Sequence, residues 1–201
     1  ENIGKYAIKS FVAATKALKE GFVDVLVTAP INKYNIQSDN FKFPGHTDYL
    51  DQELEGNALM LMVQDGLRVG LLTDHIPLNE VASHLTEELI IKKIETIKQT
   101  IIQDFSINKP KIAVLGLNPH CGDGGVIGKE EDAVLKPTLK KIFDKGTLVF
   151  GPFAADGFFG SNQYDKYDEI IAIYLVDVFI NFKILSFDKI SLKSFNVKNS
   201  I

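Results

Sequence analysis

The sequence predicts an α/β fold in which a mixed sheet is flanked by helices. Helical and strand-like hydrophobic patterns alternate along the chain, and Asp65-Gly66, a turn signal, separates two of the strand-like runs. Polar residues follow directly after three of the runs, at Asn32, His75 and His120. In an open α/β sheet, the edge where the strands end is where ligands bind. We therefore expect these residues to mark a functional edge.

Three segments have the pattern of helices, at residues 4–20, 86–104 and 129–144. Gly21 can end the first helix, because glycine readily adopts the left-handed conformation found there. Thr86 is a suitable N-cap for the second helix. Pro137 lies inside the third segment and is expected to kink or divide it, because proline lacks the backbone N–H that a helix interior needs.

Apolar runs predict the strands, at residues 22–28, 58–63, 67–73, 111–117 and 170–174. The first is predicted to be a buried strand that ends before Pro30. The second and third are predicted to form a hairpin. A glycine-rich loop is expected at residues 118–128, after the fourth strand.

Composition excludes several classes of protein. The chain has 201 residues, 22 Lys+Arg, 26 Asp+Glu and a net charge of −4, with 45% hydrophobic residues, which is typical of a globular protein. The acidic balance gives no electrostatic indication of nucleic-acid binding. We find no apolar stretch of roughly 20 residues that could cross a membrane. Cys121 is the only cysteine, and no signal peptide is recognisable, so a cytoplasmic location is expected.

Residues 175–201 differ from the rest of the chain. They contain no Gly, Pro or His but four Phe, whereas an α/β protein normally places turn residues in a stretch of this length. We therefore predict an α/β core at residues 1–174 and a divergent tail at residues 175–201. The chain also begins without a methionine, and we expect it to be part of a longer protein.

His46 and Thr47 follow Pro44-Gly45, where glycine permits close backbone approach and the Thr47 hydroxyl can cap a helix or contact an oxyanion. The simpler alternative is a helix cap beside an exposed histidine. His84 is expected to lie on the surface of a short helix.

His75 and His120 both follow predicted strands. Neutral imidazole is a common ligand of divalent metals, and Asp74 could orient His75, although a single histidine at a strand end is more often structural. Glycines follow His120 and leave room for an ion or a phosphate. Cys121 could be a thiolate ligand, but a packed, inert thiol is favoured.

Lys33 and Lys183 are candidate anion-binding residues, and the alternative for each is a solvated surface charge. Asp156 lies beside Gly157 and could be a general base, an orienting carboxylate or a turn residue. We find neither a Gly-x-Gly-x-x-Gly motif after a strand nor a P-loop, so the sequence gives no support for a common dinucleotide site.

Several of these motifs occur together and in one order: Thr28-Ala29-Pro30-Ile31-Asn32-Lys33, Pro44-Gly45-His46-Thr47, Thr73-Asp74-His75-Ile76-Pro77-Leu78, Gly116-Leu117-Asn118-Pro119-His120-Cys121-Gly122-Asp123-Gly124-Gly125, Gly151-Pro152-Phe153-Ala154-Ala155-Asp156 and Ala172-Ile173-Tyr174. In order and spacing they resemble the 4-hydroxythreonine-4-phosphate dehydrogenase family of pyridoxal phosphate (vitamin B6) biosynthesis. The resemblance extends from about residue 4 to residue 174.

The resemblance implies a two-lobed fold like that of the isocitrate and isopropylmalate dehydrogenases, here incomplete, in a homodimer with active sites at the subunit interface. It implies NAD as cofactor and a divalent metal (Zn, Mg or Co) held by three histidines, of which His75 and His120 match two. His46, Thr47 and Lys183 match substrate-binding positions. Asp156 matches an acidic position near the reacting centre and is the candidate catalytic residue.

The implied reaction is the NAD- and metal-dependent oxidation, with decarboxylation, of 4-phosphooxy-L-threonine. Two alternatives remain open: a related dehydrogenase of a phosphorylated sugar acid such as 4-phosphoerythronate, and a non-catalytic remnant of the fold. The sequence departs from the family after Tyr174, where Leu175 stands at the position of the third metal-binding histidine. Two histidines would hold a metal more weakly unless Asp177 or water completes the site.

Overall fold

The computed structural model describes residues 3–38, 41–43, 45–64, 66–73, 76–175 and 191–197. The chain divides into two compact units. The first comprises residues 1–58 together with 196–201, and the second comprises residues 59–195.

The first unit contains the helices α1 (Ile3–Lys19) and α2 (His46–Glu53). Helix α1 ends as predicted at Gly21, which has a φ of 75°, and the Phe22 N–H donates to the Ala17 carbonyl across 2.9 Å. This backward hydrogen bond uses a carbonyl that the end of the helix would otherwise leave unpaired. The small core of the unit is formed by Phe11, Ile36, Phe41 and Tyr49.

The predicted strand at residues 22–28 is wrong, since the structure assigns no strand there. Phe22 and Val27 are 78% and 89% exposed. A run of apolar residues predicts burial only if another element supplies a surface to pack against. The described part of this unit supplies no sheet to this segment, although Leu26 packs against the small apolar core of the unit.

The second unit is built on a six-stranded sheet with the strand order β4-β3-β5-β2-β1-β6. The strands are β1 (Asn57–Gln64), β2 (Leu67–Leu71), β3 (Ile112–Leu115), β4 (Val149–Phe153), β5 (Glu169–Ala172) and β6 (Ser191–Val197). Strands β1 and β2 pair antiparallel, which confirms the predicted hairpin. Strand β5 pairs in parallel with both β2 and β3, and β3 pairs in parallel with β4. The mixed sheet is confirmed, whereas β4 and β6 were not predicted.

Helices cover both faces of the sheet: α3 (Val81–His84), α4 (Glu87–Phe105), α5 (Lys136–Asp144) and α6 (Ala155–Gly160). Strand residues alternate between two apolar clusters, as the period of a β-strand requires. In β3, Ile112 and Val114 pack with α4 and α5, whereas Ala113 and Leu115 pack with α6. Each fully buried aliphatic side chain contributes about 1.5–3 kcal/mol of transfer free energy. The predicted α/β fold is therefore confirmed.

Two predictions about helix boundaries are confirmed. The Thr86 hydroxyl accepts a hydrogen bond from the Leu89 N–H across 3.2 Å and caps α4. The helical segment predicted at residues 129–144 is divided close to Pro137, with a π-helical turn at Glu131–Leu135 followed by α5. Proline is tolerated at the start of a helix, where its missing N–H has no partner in any case.

Candidate functional site

The parallel strands β2, β5 and β3 end at one edge of the sheet, and the chain leaves each strand there. The backbone N–H and the hydroxyl of Thr73 both donate to the carbonyl of Ile173, which joins the segments that follow β2 and β5. His75 lies two positions beyond Thr73 in the sequence, and it falls outside the described residues. Leu175 lies two positions beyond Ile173.

The segment that follows β3 carries His120 in an unusual conformation. Six consecutive residues, 120–125, have positive φ, and in the first five φ is 79° or less: His120 (52°), Cys121 (53°), Gly122 (79°), Asp123 (45°) and Gly124 (62°). We call residues 120–124 the left-handed turn. His120 is exposed, and its ring makes no hydrogen bond within the described part of the chain. The imidazole is therefore accessible to a ligand.

The left-handed turn is costly for the residues that carry a Cβ. A non-glycine residue loses roughly 1–2 kcal/mol in this conformation, so His120, Cys121 and Asp123 together cost about 3–6 kcal/mol. Such conformations persist only where the surroundings fix them, and they concentrate at functional sites. The turn is braced by hydrogen bonds from the Cys121 N–H to the Asn118 carbonyl and from the Ile127 N–H to the Gly122 carbonyl, both 3.0 Å long.

Glu131 is a buried residue beside this turn that the sequence analysis missed. Its carboxylate accepts hydrogen bonds from the backbone N–H groups of Leu117 and Asn118. A signal was present in the sequence, because Glu131 falls on the same face of the predicted helix as Leu135, Leu139 and Ile142. A charged residue on an apolar face indicates a specific partner.

Cys121 is half-buried beside the same carboxylate. Burial, and then the negative charges of Glu131 and Asp156, raise the pKa of the thiol, and Lys136 only partly opposes this. The thiolate form that binds metals is therefore disfavoured. This agrees with the predicted packed thiol.

Asp156 lies in the first turn of α6, the helix that follows β4. Its carboxylate is exposed, and the positive end of the helix favours a negative charge at this position. Its charge is one of those that raise the pKa of Cys121, the residue next to His120. The structure thus brings two of the predicted site residues, Asp156 and His120, to the same region of the second unit.

His46 and Thr47 lie in the first unit, at the beginning of α2. Thr47 is not the helix cap, because the N-cap position is Gly45 and it has no side-chain cap. The alternative of an exposed histidine is also wrong: His46 is half-buried and meets Phe11 edge-on at 4.8 Å between ring centroids. Burial, and then the charge of Lys33, lower the pKa of His46, so its ring is neutral at neutral pH.

Lys33 lies in a turn that Asn32 fixes. The Asn32 side-chain oxygen accepts hydrogen bonds from the Tyr34 and Asn35 N–H groups at 3.1 and 3.0 Å. This arrangement keeps the Lys33 chain near Gly45 and His46. His84 is exposed at the end of α3, as predicted. Lys183 and Asp177 fall outside the described residues.

The donor set fits a metal only in part. Within the described residues, no group of three or more His, Cys, Asp and Glu side chains could hold an ion, and His75 is not among these residues. The exposed imidazole of His120 fits a ligand role. Leu175 does not, because it packs against the apolar cluster that contains Phe158 and Ile170.

The fold is that of an α/β protein whose candidate site lies at the edge where the parallel strands end. The family described as "Pyridoxal phosphate biosynthetic protein PdxA" matches residues 1–197, and the chain belongs to this family. The match includes most of residues 175–201.

Curated relatives and solved structures agree with this assignment. The chain is 46% identical over 187 residues to a 4-hydroxythreonine-4-phosphate dehydrogenase of Bacteroides thetaiotaomicron. This match covers 92% of this chain and 51% of the relative. It is 40% identical over 189 residues to the Sulfurihydrogenibium sp. enzyme of that name, covering 92% and 58%. A Klebsiella pneumoniae structure with the same name superposes with a TM-score of 0.80 at 29% identity, covering 94% and 61%.

The chain is shorter than the relatives it matches. It spans about half the length of the curated relatives it matches. The likeness to the Klebsiella pneumoniae structure confirms the dehydrogenase-type α/β fold expected from the motifs. No helix in the described part of the chain is long and apolar enough to cross a membrane.

Proposed function

We propose that this chain carries metal-binding and substrate-binding residues of an NAD-dependent 4-hydroxythreonine-4-phosphate dehydrogenase. Family membership supports this proposal, and the observation that carries it is the accessible His120 on a strained turn at the strand-end edge. The substrate is 4-phosphooxy-L-threonine, and the pathway is pyridoxal phosphate biosynthesis. The working protein is a cytoplasmic homodimer.

His120 and His75 are proposed to hold the divalent metal (Zn, Mg or Co). A bound metal at this edge supplies a Lewis acid that favours loss of the substrate hydroxyl proton and stabilises negative charge on the oxygen. Asp156 is proposed as the acidic group near the reacting carbon, placed to receive or orient the hydroxyl proton. Bound NAD⁺ would accept the hydride as the substrate alcohol is oxidised to a ketone, and the resulting 3-oxo acid would lose carbon dioxide and take up a proton at the carbon left behind.

His46, Thr47 and Lys183 are proposed to bind the phosphorylated substrate. Thr47 lies at the start of α2, where free backbone N–H groups and the helix dipole favour an anion. The neutral His46 ring donates or accepts a hydrogen bond without adding charge. No residue of this chain is assigned to NAD.

A non-catalytic role is the second candidate, and the packing of Leu175 favours it. The family position of the third metal ligand is occupied here by an apolar side chain in contact with an apolar cluster. Such a protein would retain the fold without forming a tight metal site.

The test is metal binding by the purified chain and by three variants. Calorimetric titration with Zn²⁺, and then with Co²⁺ and Mg²⁺, would compare wild type with His120→Ala, His75→Ala and the surface control His84→Ala. We expect stoichiometric binding by wild type and His84→Ala, and loss of binding in the other two. Unchanged affinity in His120→Ala or His75→Ala would refute the ligand assignment.

Turnover distinguishes the remaining alternatives. NADH formation would be followed with 4-phosphooxy-L-threonine and with 4-phosphoerythronate, which lacks the amino group. A preference for the first supports the proposed substrate, and a preference for the second identifies the sugar-acid dehydrogenase. Absence of both metal binding and turnover supports the non-catalytic reading.

A further inference from the structure

We propose that Glu131 is a positioning residue that holds the left-handed turn and thereby fixes His120 at the sheet edge. Glu131 is 0% exposed, although its side chain ends in a carboxylate. A buried carboxylate is expected only where specific donors compensate for its lost hydration. The donors identify what this side chain holds in place.

Among the described residues, the donors to the Glu131 carboxylate all belong to the segment that leads into the turn. Oε1 accepts from the Leu117 N–H at 2.8 Å and from the Asn118 N–H at 2.6 Å. Oε2 accepts from the Asn118 side-chain amide at 2.9 Å. The carboxylate therefore fixes two successive peptide groups immediately before Pro119 and His120.

Asn118 continues this support to the far side of His120. Its carbonyl accepts the Cys121 N–H at 3.0 Å, and its side-chain amide also donates to Glu130 at 2.8 Å. His120 thus lies between two residues that are tied, directly or through one hydrogen bond, to Glu131. This arrangement limits how far its backbone can move.

Two glycines allow the chain to close around the carboxylate. A Cβ at Gly116 would lie 3.3 Å from Glu131 Oε1 and 2.9 Å from Cys121 Sγ. A Cβ at Gly122 would lie 3.0 Å from Glu131 Oε2 and 2.5 Å from the Gly128 carbonyl oxygen. The left-handed turn is therefore wrapped against this one side chain.

The role rests on the proposed function only where it concerns metal binding. Without the carboxylate, the Leu117 N–H, the Asn118 N–H and the Asn118 side-chain amide lose their acceptor. The residues with positive φ then lose the contacts that hold them in this unfavourable conformation. The left-handed turn should then change its backbone conformation, and the His120 ring should move away from its place at the strand-end edge of the sheet.

The test compares Glu131→Gln with Asp132→Asn, a matched control. Asp132 is the next residue in the sequence, and its side chain is exposed. It forms an ion pair with Lys136 and does not accept the hydrogen bonds that Glu131 accepts. Two readouts are needed: Zn²⁺ affinity by calorimetry, and amide hydrogen exchange with the His120 NMR shifts in the metal-free protein. For Glu131→Gln we expect a Zn²⁺ affinity about 10- to 100-fold weaker, faster exchange at Leu117 and Asn118, and shifted His120 signals. Asp132→Asn should match wild type.

A second variant allows the proposal to be tested even if Glu131→Gln does not fold. If Glu131→Gln does not fold, Asn118→Ala, which removes two side-chain hydrogen bonds but keeps the backbone ones, should weaken Zn²⁺ binding in the same direction. Wild-type exchange rates and His120 shifts in a folded Glu131→Gln protein would overturn the proposal. If wild type itself binds no Zn²⁺, the proposed metal site fails, and the exchange rates and shifts alone decide the role of Glu131.

Discussion

The Thr73 hydroxyl donates a 2.6 Å hydrogen bond to the Ile173 carbonyl, and the Thr73 N–H donates to the same oxygen at 3.0 Å. Thr73 is 3% exposed. These bonds hold together the ends of two neighbouring parallel strands. His75 and Leu175 each follow two positions later in the sequence.

Thr73→Val should loosen this junction while preserving its shape. The Ile173 carbonyl keeps its backbone donor, so the loss is that of one buried hydrogen bond, about 1 kcal/mol. Urea unfolding measures this loss, and Zn²⁺ titration should show weaker binding. Thr138→Val is the control, because the Thr138 hydroxyl donates to Val134 in a helical segment. It should lower stability similarly and leave Zn²⁺ affinity unchanged.

Leu175→His should strengthen metal binding at the proposed site by adding a third imidazole. A closed set of three histidines binds Zn²⁺ more tightly than two. Calorimetry should show an affinity at least about tenfold higher, equivalent to about 1.4 kcal/mol. Leu175→Ala is the matched control, since it removes the same packing without adding a ligand. Equal affinities in the two variants would show that residue 175 does not face the metal.

Glu169 is expected to make stability fall as pH rises. It is fully buried in β5, and burial raises its pKa well above its ordinary 4.5, against the opposing effects of the Arg68 charge and of the Gly70 N–H. Above pH 4.5 the unfolded chain releases this proton while the folded chain keeps it. The free energy of unfolding then declines by up to about 1.4 kcal/mol per pH unit until the folded pKa is reached.

Glu169→Gln should remove this decline, because glutamine does not titrate. Urea unfolding in a pH series from mildly acidic to mildly alkaline solution measures the slope. The exposed Glu55→Gln variant should retain the wild-type slope. A wild-type stability that is independent of pH in this range would contradict the prediction.

Lys33→Met should raise the pKa of His46. The variant removes the positive charge that opposes protonation of the ring, whereas burial, the larger cause, remains. The pKa should therefore rise without reaching the ordinary value of 6.5. An NMR titration of the His46 ring measures it. The exposed Lys9→Met on α1 should leave the titration unchanged.

At position 123, glycine should be more stable than alanine. Asp123 has a φ of 45° and an exposed side chain, so Asp123→Gly should exceed Asp123→Ala by about 1 kcal/mol. The order should reverse at the exposed Lys92 in α4, where alanine is favoured by about 1 kcal/mol. Thermal or urea unfolding of the four variants measures both differences. The same order at both positions would contradict the left-handed assignment.

Local signals in the sequence predicted much of the fold. The end of α1 at Gly21, the cap at Thr86 and the division near Pro137 each depend on residues close in sequence, and all three are confirmed. The segment 22–28 was wrong because burial of an apolar run depends on what distant elements supply. Strand β4 was missed because Gly151 and Pro152 interrupt its pattern.

The candidate site was predictable in its residue types but not in its support. Motifs indicated His120 and Asp156, yet no pattern showed that His120 lies in a left-handed turn held by Glu131. The half-burial of His46 depends on Phe11, which is distant in sequence. His75 and Lys183 remain predictions.

The left-handed turn has a stereochemical consequence. Its backbone has the handedness that suits D-amino acids, since the steric conflict that L side chains meet at positive φ disappears in the mirror-image configuration. At Gly124, where φ is 62°, a D-alanine introduced by chemical synthesis should fit the turn better than L-alanine. The chain thus contains, beside its candidate metal ligand, a short stretch whose natural chirality opposes its own conformation.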